Sequence, residues 1–127
     1  MQPMTAWSAQ ELDRIGQAEE LEIASRRPDG SLRSFVTIWM VRVDDGLFVR
    51  SAHGQENPWF RRAVESGEGR VRAGGVERDV TFEAGDPTLA AAITAAFAAK
   101  YGHYHQSIVD PVISPESEGA TLRLVAR

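Results

Sequence analysis

Along the chain the apolar positions fall into short runs of period two, interrupted by stretches of helical period. The first helical stretch opens at Ser8, with Glu11 three residues on. This is the spacing of a capping box, in which the Ser8 hydroxyl and the Glu11 carboxylate each accept from the other's backbone N–H. Trp7 and Leu12 stand at staple spacing around it, and Gly16 marks its end. Leu21–Ser25 reads as a strand, followed by the turn Pro28-Asp29-Gly30, where Pro presets φ and Gly accepts a positive φ. Residues 33–43 form the longest strand candidate. Phe35, Thr37, Trp39, Val41 and Val43 lie on one face and Val36, Ile38 and Met40 on the other, which predicts a strand covered on both sides. Asp44-Asp45-Gly46 turns the chain, and residues 47–52 return antiparallel.

Asn57-Pro58 opens a second helix, with Asn as N-cap and Pro at the first helical position, running to Gly67. Gly74-Gly75 is a two-residue hairpin turn between residues 70–73 and 76–82, and the second arm alternates Val76, Arg78, Val80, Phe82 against Glu77, Asp79, Thr81. Asp86-Pro87 caps a third, alanine-rich helix with Leu89, Ile93 and Phe97 on one stripe, ending near Gly102. Residues 108–113, interrupted by Pro111, and residues 121–125 read as the last extended segments. About six short strands joined mainly by tight turns, with three helices between them, do not alternate as βαβ units. The expectation is one α+β domain over residues 1–127, with an antiparallel sheet closed into a barrel and helices packed outside.

Composition narrows the function classes. There are no cysteines, which removes disulfides and thiolate chemistry. No apolar run approaches the ~20 residues that span a bilayer, and the N-terminus lacks the basic and apolar regions of a signal peptide, so a cytoplasmic protein without a membrane span is expected. The net charge of −4 argues against a nucleic-acid binder. That average hides a division: residues 26–78 carry ten Arg against seven acids, whereas the remainder carries four bases against eleven acids. Lys100 is the only lysine. The planar fork of Arg suits phosphate and carboxylate groups, and equally a solvated strand surface.

The most site-like segment runs over residues 50–62. It goes from a strand ending in Arg50-Ser51, through a loop with His53 and Gly54, to the helix opened by Asn57-Pro58-Trp59, with Arg61 and Arg62 a turn further on. A helix N-terminus presents unpaired N–H groups and a partial positive charge, and Arg50 and Ser51 can add donors to the same anion. The cluster suits a cofactor phosphate or the carboxylates of an acidic tail; an ordinary surface connection with an Asn-Pro cap has the same local pattern. The histidines, His53, His103 and His105, have no cysteine or close carboxylate to complete a ligand set, so no metal is expected. No Gly-x-Ser-x-Gly elbow or phosphate-binding Gly-x-x-x-x-Gly-Lys loop is present.

Trp7-Ser8 with Glu11-Leu12, Pro28-Asp29-Gly30, Val36-Thr37-Ile38-Trp39, Val49-Arg50-Ser51, Arg72 to Val76 and Ser107 to Pro111 together resemble a bacterial domain-of-unknown-function family, number 2255. More distantly, the order of features is similar to the deazaflavin-dependent nitroreductases, a branch of the FMN-binding split β-barrels. There a hairpin followed by Arg, a strand ending in Ser, a Gly-containing loop, a Pro-x-Trp helix opening and a Gly-Gly hairpin follow one another. This resemblance implies a split barrel and a redox protein using a deazaflavin coenzyme or FMN. It implies that Arg33, Thr37, Arg50, Ser51, Asn57 and Trp59 line the cofactor groove, with Arg33 and Arg50 near phosphate and Tyr101 or Tyr104 on the substrate side. It also implies a homodimer with the cofactor at the interface. The chain carries Arg62 where that family usually has Asn. Two other readings stand beside it. One is a non-catalytic module of the same fold that sequesters a flavin, haem or other planar ligand; the other is an oligonucleotide-binding barrel, which the net charge disfavours.

Overall fold

The computed structural model describes residues 7–52 and 54–127. Residues 1–6 and His53 lie outside the described residues, and with them the expectations for a signal peptide and for His53.

Local chemistry sets most of the element ends. Helix α1 (Ala9–Gln17) begins at Ser8, and both bonds of the capping box form. It passes Gly16 by one residue and closes with the Ala18 N–H on Ile15 O. Gly16 has a packing task instead, because a Cβ there would press on the Arg42 side chain at 3.3 Å. Strands β1 (Leu21–Ser25), β4 (Gly46–Arg50), β5 (Glu68–Ala73), β6 (Val76–Ala84) and β7 (Thr121–Ala126) lie where the alternation places them. Helix α2 (Pro58–Ser66) is capped by Asn57 and ended by Gly67 at φ 75°. The Gly74-Gly75 turn has both residues at positive φ, 56° and 82°, as a twisted two-residue hairpin requires. Asp86 caps a 3-10 turn (Pro87–Leu89) that runs into α3 (Ala90–Tyr101).

Two expectations are corrected. The long strand over residues 33–43 is two strands, β2 (Val36–Ile38) and β3 (Met40–Val43), broken at Trp39. It is not covered on both sides throughout: Val36, 38 % exposed, and Thr37, on the opposite face of β2, both reach solvent. Residues 108–113 are not extended either. They belong to helix α4 (Gln106–Ile113), which His105 caps by accepting from the Ser107 N–H, and α5 (Pro115–Glu118) follows. Pro111 lacks an N–H and so withholds one helical bond. Val109 and Val112, three apart on one face, are buried and fix the helix by tertiary packing.

The seven strands form one antiparallel sheet in the order β2-β1-β5-β6-β7-β4-β3. Its two edge strands, β2 and β3, are consecutive in the chain and separated only by Trp39. The sheet therefore curls until its ends meet at a covalent joint, giving a nearly closed split barrel with, among the described residues, five α-helices around it. Alternation sorts the side chains into two cores. Leu47, Val49, Leu122 and Leu124 point inward with Leu21, Ile23, Val71 and Val80, and Phe60 and Ala63 of α2 plug one end. Val41 and Phe48 point outward and are covered by Ile93, Phe97 and Tyr101 of α3 and by Val109 and Val112 of α4. Among the described residues, no helix is long and apolar enough to cross a membrane.

Candidate functional site

The chain leaves β1 at Ser25 into a tight hairpin. Arg27 N donates to Ser31 O at 2.8 Å, Gly30 N returns to Arg27 O at 2.8 Å, and Gly30 stands at φ 89°. Asp29 Oδ1 accepts from both Ser31 Oγ and Ser31 N, which holds its carboxyl below the usual range. Arg33 then donates its backbone N–H to Ser25 O and sets off toward β2. Between this hairpin and the second half of α2 lies a groove of about 400 Å³, with Arg26, Arg27 and Arg33 on one wall and Arg62, Glu65 and Ser66 on the other. It adjoins a crevice of about 20 Å³ bordered by Ile23, Ser25, Val36, Trp59 and Ala63, and Arg33 and Arg62 line both spaces.

The four arginines differ in what they are free to do. Arg26 is committed: Nη1 donates to Gly30 O at 2.7 Å and Nη2 to Asp79 Oδ1 at 3.2 Å. Arg27 is committed as well, with Nη1 on Leu32 O at 2.8 Å. The Arg33 and Arg62 side chains have no hydrogen bond or ion pair among the described residues, and Arg33 Nε is buried without an acceptor. A buried N–H left unpaired costs roughly 1–3 kcal/mol, which an incoming acceptor recovers. Of the two carboxylates lining the groove, Glu68 is taken by Arg127 and Glu65 makes no ion pair with either arginine. The groove thus presents two uncommitted planar cations beside an indole, an arrangement that accepts phosphate or carboxylate oxygens.

The other candidate residues are dispersed. Trp59 borders the crevice with its ring edge-on to Phe60, centroids 5.8 Å apart, and its backbone N–H donates to the capping Asn57 Oδ1 at 3.4 Å. Thr37 pairs across from Glu22, on the other face of β2 from Val36, and lines a separate groove with Glu22, Arg72 and Glu77. Arg50 and Ser51 are neighbours whose side chains are both closed off from solvent, at 2 % and 0 % exposure. The Arg50 guanidinium donates to Thr121 Oγ1, Thr94 Oγ1, Val112 O and Ala90 O, all uncharged. Burial pushes its pKa down, opposed by the Glu118 charge. Ser51 Oγ is buried without a partner, while its N–H donates to Ala120 O.

Tyr101 and Tyr104 gather at the strand break instead. Trp39 stacks on Tyr101 with centroids 4.0 Å apart and planes 4° apart, and on Tyr104 at 5.2 Å. Tyr104 donates its hydroxyl to the Glu19 carboxylate, and His103 Nε2 lies 4.0 Å from the same group. The structure therefore brings Arg33 and Trp59 together and adds Arg62, Ser25 and Val36 to them. The signal for Arg62 was present in the sequence: it stands three residues after Trp59 on α2, hence on the same helical face.

Solved structures share this fold at low identity. HutZ, the haem storage protein of Vibrio cholerae, is 14% identical over 91% of this chain and 86% of its own, with a TM-score of 0.66. A FAD-binding protein from Mesorhizobium loti is 15% identical over 96% and 91%, with a TM-score of 0.54. An F420 reductase is 15% identical over 91% and 90%, with a TM-score of 0.52. Likeness at these identities is a likeness of fold. Comparison with curated protein sequences finds no match. The sequence pattern of one family does match, over residues 11–124, from the capping Glu11 to the core residue Leu124 of β7, and the chain belongs to that family, DUF2255, described as an uncharacterized protein conserved in bacteria.

Proposed function

We propose that this protein is a flavin-type redox protein that takes a deazaflavin coenzyme or FMN at the Arg33–Arg62 groove. One observation carries the reading: two arginines without partners among the described residues border a single groove beside Trp59, and a buried N–H of one lacks an acceptor there. Arg33 and Arg62 hold the anionic tail as planar forks, and Trp59 forms the wall of the crevice. Such a cofactor supplies the hydride chemistry, and the protein supplies binding, orientation and charge. Asn57 serves by fixing the start of α2, which carries Trp59 and Arg62. Arg50 and Ser51 hold the end of β4, and Thr37, Tyr101 and Tyr104 stand apart from the tail. A homodimer in which a second copy covers the open side of the groove belongs to this reading.

The fold-level likeness to a FAD-binding protein and an F420 reductase supports it. A second reading, a module that holds a planar ligand without turnover, draws support from the likeness to a haem storage protein. Titration of the purified protein with FMN, the deazaflavin coenzyme and haem, followed by absorbance and tryptophan fluorescence, tests both. Saturable FMN or deazaflavin binding that weakens in Arg33→Ala and Arg62→Ala is the expected result. Binding of none of the three, or binding indifferent to both substitutions, sinks the reading. Reduction of the bound cofactor followed by transfer to an acceptor separates enzyme from carrier.

A further inference from the structure

Residues 106–119, which contain α4 and α5, follow the end of α3 at Tyr101 and lead into β7 at Thr121, both buried. Between these anchors the segment is held by a short apolar row and several polar ties. Val109 and Val112 are buried and Ile113 packs half-buried against the same cluster, while Ile108 is 52 % exposed and Pro111 removes one internal bond. Two of the polar ties run through one side chain, Arg50, directly to Val112 O and by way of Thr121 to Ser117 O. Arg50 Nη1 donates to Val112 O of α4 at 2.9 Å and to Thr94 Oγ1 of α3 at 2.7 Å. Its Nη2 reaches Ala90 O at 3.1 Å, and its Nε reaches Thr121 Oγ1 of β7 at 3.0 Å. The Thr121 hydroxyl in turn donates to Ser117 O at 3.0 Å, and Ser117 Oγ lies 3.0 Å from Val112 O. At the far end Gln55 Nε2 donates to Gly119 O at 2.8 Å.

We propose that residues 106–119 are a strap that opens as a unit over the α3 face of the barrel, and that Arg50 is its latch. A guanidinium suits this task because its donors radiate in a plane and reach β7, α3 and α4 at once, which a lysine ammonium on one axis does not. The hydrogen-bond acceptors are uncharged, and the carboxylate of Glu118 in α5 acts on the desolvated cation through its charge, without a hydrogen bond. Segments with little apolar burial and a bonding network of this kind open locally at a free energy below that of the whole fold. Opening uncovers Phe97 and Ile93 together with the cavity of about 260 Å³ that Asp86, Ala90, Glu118 and Thr121 border. The same motion loosens Gln55 from Gly119, and Gln55 belongs to the loop that leads into α2.

Amide hydrogen exchange on the full-length protein, in low denaturant, tests this without any ligand. In the wild type the amides of residues 106–118 exchange together and faster than those of Val71, Val80 and Leu124. In Arg50→Lys the strap amides exchange faster again by on the order of tenfold, as expected when about one net hydrogen bond is lost, with the barrel amides unchanged. Thr94→Val removes one acceptor of Arg50 and gives a smaller shift in the same residues, which carries the test if Arg50→Lys does not fold. Exchange of the strap only at the rate of the barrel core in the wild type overturns the proposal. So does wild-type protection of the strap in Arg50→Lys, or in Thr94→Val where that variant carries the test.

Discussion

Tyr101 holds Met40 by its backbone: the phenol oxygen accepts from Met40 N at 3.1 Å and lies 3.0 Å from Met40 O and 2.8 Å from Glu19 O. Lys100 adds a bond from Nζ to Met40 O at 2.8 Å. Met40 is the first residue of an edge strand at the joint of the barrel, where the sheet has no further strand to satisfy its backbone. Helix α3 thus supplies from its last turn the bonds that an eighth strand would otherwise supply.

Tyr101→Phe leaves that buried N–H unpaired. A loss of about 1–3 kcal/mol in urea unfolding is expected, with the spectrum of the folded state kept. Burial pushes the Tyr101 phenol up to about 12. The folded-state value is raised, so its stabilisation is complete below the ordinary value of 10.0 and disappears as the pH rises toward about 12. The two-unit gap corresponds to about 3 kcal/mol. Unfolding curves for wild type and Tyr101→Phe between pH 9 and 12 should therefore converge; parallel curves would show that the phenol is not the titrating group.

Arg33→Ala and Arg62→Ala should each weaken binding of a phosphate-bearing cofactor by roughly tenfold, as for loss of a charge-assisted bond of about 1.4 kcal/mol. Neither should move the unfolding midpoint much, since neither side chain holds another part of the fold. Arg26→Ala is the contrasting case. It removes a tie to Gly30 O and to Asp79, so the hairpin itself loosens, and proteolysis within residues 26–32 reports it.

Asp79 lies between Arg70 and Arg26, at 2.9 Å and 3.2 Å. The Arg70 hydrogen bond and the charges of both arginines hold its carboxyl below the ordinary 3.8, against a smaller opposing effect of burial. A depressed value means stabilisation that is present above the unfolded-state pKa and is lost as pH falls through the folded one. Asp79→Asn should therefore destabilise at pH 7 and lose its effect near pH 2, read from thermal unfolding at both. The side chain is partly exposed, so solvent screening keeps the difference small.

Gly69 in β5 sits against β1 so closely that a Cβ would lie 2.0 Å from Ala24 O and 2.9 Å from the Phe82 ring. Gly69→Ala should break the pairing of β1 with β5 and leave little folded protein, whereas Gly30→Ser, with open space at its position, should fold with only the strain of its positive φ. Circular dichroism and urea midpoints separate the two.

What was legible in the sequence was what local chemistry decides. Ser8 with Glu11, Asn57 with Pro58 and Gly74 with Gly75 each fix an end or a turn through groups a few residues apart, and each lies where the pattern places it. The break at Trp39 was not legible, because it is made by closure of the sheet and by the Tyr101 bonds to Met40, 61 residues away. Helix α4 was hidden because Pro111 and paired β-branched residues read as extended, and packing under Val109 and Val112 decides otherwise. For the candidate site, the order of features along the chain names Arg33 and Trp59, whereas Arg62 enters as added charge and as a departure from the Asn of the resembled family. Thr37 is named with them, yet the pairing of β2 with β1 turns it to the opposite face from Val36. Arg50 carries the right chemistry for an anion. Its alternation within β4 turns it toward α3, where helix carbonyls and threonines reach it first.

The joint at Trp39 also bears on self-association. An open antiparallel sheet has two free edges, each a template on which another chain can add a strand. In this fold the two edge strands have three and four residues and converge on the same residue, and the backbone of Met40 is already engaged by Tyr101 and Lys100. Among the described residues, a barrel that stops one strand short of closure therefore offers a second molecule only short, partly engaged edges, which make poor templates for strand addition.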